Sequence, residues 1–176
     1  RSDAASRREM LRGDLLFANG DYDKARQIYE RVGTGSKDLE TGARAWLQAG
    51  RCWNCLHQFD KALSCYERFQ ASPYDKSEFA DDALLRAGVI YVGPLRQSRK
   101  GKALYERILD RYPGGDYAEM AELYLCTLAY WEKDWQTALR RHEAFLRRYP
   151  NSPNAWFVRR ERLPVIRAAL TGKKAG

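Results

Sequence analysis

The stretch WLQAGRCWNCLHQFDKALSCYERFQASP, residues 46–73, decides the fold. It reads as two short amphipathic helices joined at a tight corner. Trp46, Ala49, Gly50 and Trp53 recur at the three- and four-residue spacing of one helical face. Ala62, Tyr66 and Phe69 mark one face of the second segment. Gln58-Phe59-Asp60 turns the corner, and Ser72-Pro73 closes the pair, because proline has no N–H to continue a helix. One such hairpin cannot bury both stripes by itself, so it needs neighbours of the same kind.

The rest of the chain supplies them. A Tyr-Glu-Arg triplet stands at 29–31, 66–68 and 105–107, steps of 37 and 39 residues. A further step of 37 lands on His142-Glu143 inside ALRRHEAFLRRYP, a segment of the same shape. This recurrence predicts one all-α domain over 1–176. Its four helix-turn-helix units span about 4–36, 37–75, 76–115 and 116–152, followed by a capping helix at 153–170 and a tail at 171–176.

Each unit has its own boundary chemistry. In the first, Leu11, Leu15 and Ala18 are expected to face inward, and Asn19-Gly20-Asp21 stops the helix. Ala25, Ile28, Tyr29 and Val32 face in from the next helix. Asp38 is the expected cap of the second unit, and Asp116 that of the fourth. In the third unit Leu84, Ala87, Gly88 and Tyr91 form the stripe, and Gly93-Pro94 ends the helix before a longer corner. In the fourth, Ala138, Leu139, Phe145 and Leu146 face in. Pro164 should kink or split the last helix.

Composition narrows the function. With 44% hydrophobic and 31% charged residues the chain can build a core and solvate its outside, and no apolar run approaches the ~20 residues of a membrane span. None of these residues is expected to form a signal peptide. The chain begins RSDAAS without Met, consistent with loss of a leader or further domain, so location is left open. The net charge of +8 is concentrated: residues 133–176 hold 11 Lys/Arg against 3 Asp/Glu. No Ser/His/Asp set, phosphate-cradling Gly loop or HExxH occurs. Cys52 and Cys55 form a C-x-x-C late in a helix with no strand before it, so they read as small buried hydrophobes rather than metal or redox ligands. His142 takes the aromatic slot of its unit, and His57 sits at a helix end. Glu30, Glu67 and Glu106 recur with the repeat and read as structural partners of nearby Arg. No catalytic residue, metal or cofactor is assigned.

The unit resembles the tetratricopeptide repeat, W-x2-L-G-x2-Y…A-x3-F…P. It is present as Trp46-x2-Ala49-Gly50-x2-Trp53, Ala62-x3-Tyr66 and Pro73, and again as Leu84-x2-Ala87-Gly88-x2-Tyr91, Gly101-x3-Tyr105 and Pro113. The resemblance implies a right-handed α-solenoid in which small residues let paired helices approach. The linkers at 112–118 and 149–155 are similar to those of bacterial outer-membrane assembly lipoproteins and of the periplasmic Tol–Pal coordinator. It further implies a non-catalytic scaffold holding a protein or peptide in a groove lined by first helices. On that side fall Arg7, Phe17, Arg44, Leu47, Arg51, Asn54, Arg86, Tyr130 and Trp131, a cationic and aromatic set suited to an acidic partner. A carboxylate clamp used by some relatives would fall on Met10, Asp14, Gln48, Asp82 and Arg86, of which Arg86 alone suits the role. The competing reading is nucleic acid or anionic membrane bound by Arg140, Arg141, Arg147, Arg148, Arg159, Arg160 and Arg162.

Overall fold

The computed structural model describes residues 3–172. Among the described residues there are helices and turns and no strand. They fall into two compact units, Arg1–Gln97 and Ser98–Gly176. The boundary lies inside the third expected repeat, between its two helices. The tail expected at 171–176 lies outside the described residues from 173 onward.

The first unit holds α1 (Asp3–Ala18), α2 (Tyr22–Gly35), α3 (Leu39–Cys55), α4 (Phe59–Tyr66) and α5 (Ala80–Val92). A 3₁₀ turn, Glu67–Gln70, tightens the end of α4. The hairpins close on glycine. A Cβ at Gly13 would stand 2.6 Å from the Tyr29 ring, and one at Gly50 would stand 2.4 Å from the Tyr66 ring. Both tyrosines are fully buried. The same small-on-large contact thus recurs in both hairpins. Between hairpins, Gly33 of α2 lies against Trp46 of α3, where a Cβ would come within 2.8 Å.

The first helix corrects the expected stripe. Leu11 and Leu15 are 67% and 64% exposed, and Ala18 is exposed too. The buried line is Ser6, Met10 and Gly13, continued by half-buried Phe17. Its register is set by the glycine that admits Tyr29, and a Leu stripe rotated away from that slot finds no partner in α2.

The corners repeat as faithfully as the cores. Gly20, His57, Arg96 and Lys133 all have positive φ, at 81°, 57°, 53° and 58°. They are spaced by the same 37, 39 and 37 residues as the aromatic slots. In three corners the very next residue closes a six-residue loop: Asp21 N–H to the Leu16 carbonyl (2.9 Å), Gln58 to Trp53 (2.9 Å) and Asp134 to Ala129 (3.0 Å). The third corner departs because Gly93-Pro94 lengthens it, and Gln97 N–H reaches back to Tyr91.

The second unit holds α6 (Ser98–Arg111), α7 (Ala118–Trp131), α8 (Trp135–Arg148), α9 (Pro153–Phe157) and α10 (Leu163–Thr171). Asp134 caps α8 by accepting from Thr137 N–H, and Asp38 caps α3 by accepting from Thr41 N–H. Asp116 is not a cap, because α7 begins after Tyr117, which makes no side-chain capping bond. Cys126 of α7 and Phe145 of α8 pack with Val158 and Leu163, and Ala129 and Ala138 pack with Ile166. The C-terminal segment therefore covers α8, as a capping element should. Pro164 does not end it. Val158–Arg162 widens into a π turn, and the helix resumes at Leu163. Proline's missing N–H is accommodated there by a shift of hydrogen-bond register. Tyr105 is buried against Tyr124, ring centroids 5.3 Å apart. His142, 1% exposed, fills the equivalent slot in α8 and donates from Nδ1 to the Ala138 carbonyl at 2.7 Å. Burial lowers its pKa, so it packs as a neutral ring.

Candidate partner-binding surfaces

In the first unit α1 and α3 present their polar residues together. Arg44 of α3 pairs with Asp14 of α1 at 2.7 Å, and Tyr29 donates to the other carboxylate oxygen at 2.7 Å. Burial and that bond push the Tyr29 pKa up, so the phenol stays a donor. Asp14 is thereby saturated, while Arg44 remains nearly half exposed with donors to spare. Next to it is a cleft of about 280 Å³ lined by Arg7, Met10, Leu11, Thr41 and Arg44. Its polar neighbour Thr41 is occupied, donating to Asp38 at 2.6 Å. The cleft is an apolar floor under two guanidinium groups.

A second cluster involves the end of α1. The Arg51 guanidinium lies 4.9 Å from the Phe17 ring centre and donates to Gln48 Oε1 at 2.8 Å. Phe17 meets Tyr22 edge-on. Asn54 is exposed one turn along α3. Leu47 is buried, so it serves the core and offers no surface to a partner. Arg86 is held by Asp82 through a 2.8 Å ion pair. In the second unit Trp131 is 64% exposed at the end of α7, whereas Tyr130 is half-buried beneath the Arg162 guanidinium.

The seven arginines of the competing surface divide. Arg141 pairs with Glu106 (2.9 Å) and Glu122 (3.6 Å). Arg148 donates to the Pro113 carbonyl and Arg159 to that of Pro150. Arg162 stacks on Tyr130 and Phe157. Arg140, Arg147 and Arg160 are exposed.

The recurring glutamates have partners of three kinds. Glu30 accepts from Arg26 and from the Trp53 indole N–H at 2.7 Å, Glu67 from the Tyr91 hydroxyl, and Glu106 from Arg141. Trp53 and Tyr91 occupy the same repeat position, so this carboxylate–aromatic bond joins successive hairpins, which an arginine-only expectation missed. The cysteines are free thiols. Cys52, Cys65 and Cys126 are buried, which pushes each thiol up to about 12, while Cys55 is exposed. Among the described residues no three His, Cys, Asp or Glu side chains gather as metal ligands. No helix among them is long and apolar enough to cross a membrane.

Two family profiles match. A tetratricopeptide-repeat profile matches residues 10–34, the α1–α2 hairpin, and an outer membrane lipoprotein profile, YfiO, matches residues 96–160. The second match contains both linkers, 112–118 and 149–155, that resemble this envelope branch. Among solved structures, BtubC (BKLC) from P. vanneervenii superposes with a TM-score of 0.70 at 18% identity, over 90% of this chain and 70% of that one. No curated protein matches the chain. The chain is all-α and solenoid-like, and its first hairpin matches the tetratricopeptide repeat. Within that class, its second unit carries the likeness to the outer membrane lipoprotein family. Proteins of both kinds are protein-interaction scaffolds and typically non-catalytic.

Proposed function

We propose that this protein holds an acidic segment of a partner against its first-helix surfaces, with Arg7, Arg44 and Arg51 choosing the charge. Leu11 and Phe17 supply apolar contact, and Asn54 and Arg86 lie on the first helices of the same compact unit. Tyr130 and Trp131 are a separate candidate contact of the second unit. One observation carries the reading: a cleft whose accessible floor is Leu11, with Met10 buried behind it, and whose rim is two arginines, one exposed and one nearly half exposed. Burying the floor supplies affinity and the rim supplies selectivity. The match of residues 96–160 to an outer membrane lipoprotein profile supports a place in bacterial envelope assembly. The competing anionic-polymer reading has four of its seven arginines engaged in internal contacts. Affinity capture from native extract tests the proposal. Replacing Arg7, Arg44 and Arg51 with Ala should cut recovery of the main captured protein about tenfold or more, with helical content unchanged. Undiminished capture would reject this surface.

A further inference from the structure

A second cleft lies in the first unit and shares no residue with the one above. It has a volume of about 380 Å³ and is formed by α2, the inner face of α3, and α4. Two indoles build it. Trp46 is pressed between Gly33 on one side and the Arg68 guanidinium, 3.8 Å from its ring centre, on the other. Trp53 carries Arg26 and Lys61, each 4.4 Å from its ring centre.

The hydrogen-bonding capacity of the cleft is unevenly used. Glu30, the carboxylate in its wall, is taken by the Trp53 indole and Arg26. Arg26 is taken again by Asp23, through two bonds of 3.0 and 2.8 Å. The hydroxyls of Thr34 and Ser64 donate to backbone carbonyls of their own helices. Among the described residues, Lys61 and Arg68 make no ion pair; each is exposed and rests on an indole face. The cleft thus offers two exposed cations in no close ion pair above aromatic surface, Asp23 acting on Lys61 only from beyond contact distance, and its own carboxylate is neutralised. Cys65 in the wall is a buried thiol that contributes only its bulk.

We infer that this cleft is a second peptide site, recognising an Asp or Glu side chain at the exposed cations Lys61 and Arg68 while a neighbouring apolar side chain meets the half-buried edge of Trp53. Its volume suits a short extended segment, at the small end of the range for binding pockets. The indole contacts leave donors free on both cations, the edge N–H groups of the planar Arg68 guanidinium and the outward N–H groups of the Lys61 ammonium, for an incoming carboxylate.

The test uses the whole chain and nuclear magnetic resonance of the Trp46 and Trp53 indole N–H signals. The probes are acetyl-Leu-Glu-Leu-amide, its Gln counterpart, and acetate. Both indole signals should shift saturably with the Glu peptide, and the Gln peptide should bind about tenfold more weakly for want of the charge-assisted bonds. Lys61→Gln alone should weaken the response, and Lys61→Gln with Arg68→Gln should remove it. Arg7→Gln with Arg44→Gln should leave it intact, which separates this site from the first-helix cleft. Since Arg68 packs on Trp46, the single Lys61 variant guards against mistaking lost packing for lost recognition. Equal binding of the two peptides, an equal effect of acetate, no shift at all, or dependence on Arg7 and Arg44 would each overturn the inference.

Discussion

Gly50 and Gly42 sit in one helix and should answer differently to the same substitution. An alanine in place of a helical glycine ordinarily stabilises by about 1 kcal/mol through backbone entropy and propensity. At Gly50 the new methyl would lie 2.4 Å from the Tyr66 ring, which is 1% exposed and cannot retreat. Overpacking of that kind costs about 1–3 kcal/mol, so the net effect should be destabilising. At Gly42 the nearest atom is the Tyr74 hydroxyl at 3.3 Å, and Gly42→Ala should be near neutral. Urea denaturation of the two variants checks this. Matching midpoints would remove the helix approach at Gly50 from the explanation of the fold. The same residue explains what the sequence concealed in α1. Counting apolar spacing selects Leu11 and Leu15, because hydrophobicity identifies a stripe without saying which side the neighbour occupies. Gly13 marks the contact side, yet a glycine in a helix looks like a flaw until the buried tyrosine opposite it is seen.

Each helix pair turns through one left-handed residue, and of the four only the α1–α2 pair uses glycine there. A side chain in that conformation costs about 1 kcal/mol relative to glycine. Lys133→Gly should therefore raise stability by about 0.5–1 kcal/mol, read as a later urea midpoint with unchanged slope. No gain, or a loss, would mean that the Lys133 side chain holds the corner by contacts that outweigh its backbone strain. These corners were half legible. Asn19-Gly20 announces its turn chemically, whereas His57, Arg96 and Lys133 are revealed only by standing at the same repeat interval. The helices themselves were legible from the Tyr-Glu-Arg register, because Tyr29, Tyr66 and Tyr105 are buried alike. The π turn before Pro164 was not, since the proline alone signals a disruption without saying how hydrogen bonding re-forms.

Across the chain, charge and likeness point in complementary directions. The second unit, residues 98–176, holds 16 Lys/Arg against 9 Asp/Glu, and the first holds 15 against 14. Much of the local charge is nevertheless bound internally, as Arg141 and Arg162 show. Sequence registered the number of cations but not their partners, because partners come from helices 20 to 35 residues away. Among the expected groove residues, Arg7 and Arg44 do line a cleft, while Leu47 belongs to the core. The central claim is that the exposed first-helix face captures a protein partner. A photo-crosslinking amino acid at Leu11, compared with one at exposed Lys24 on α2, tests it most directly in native extract. The account predicts one dominant adduct from Leu11, lost when Arg7 and Arg44 become Ala, and none from Lys24. A dominant adduct from Lys24, or an empty lane from Leu11, would contradict it.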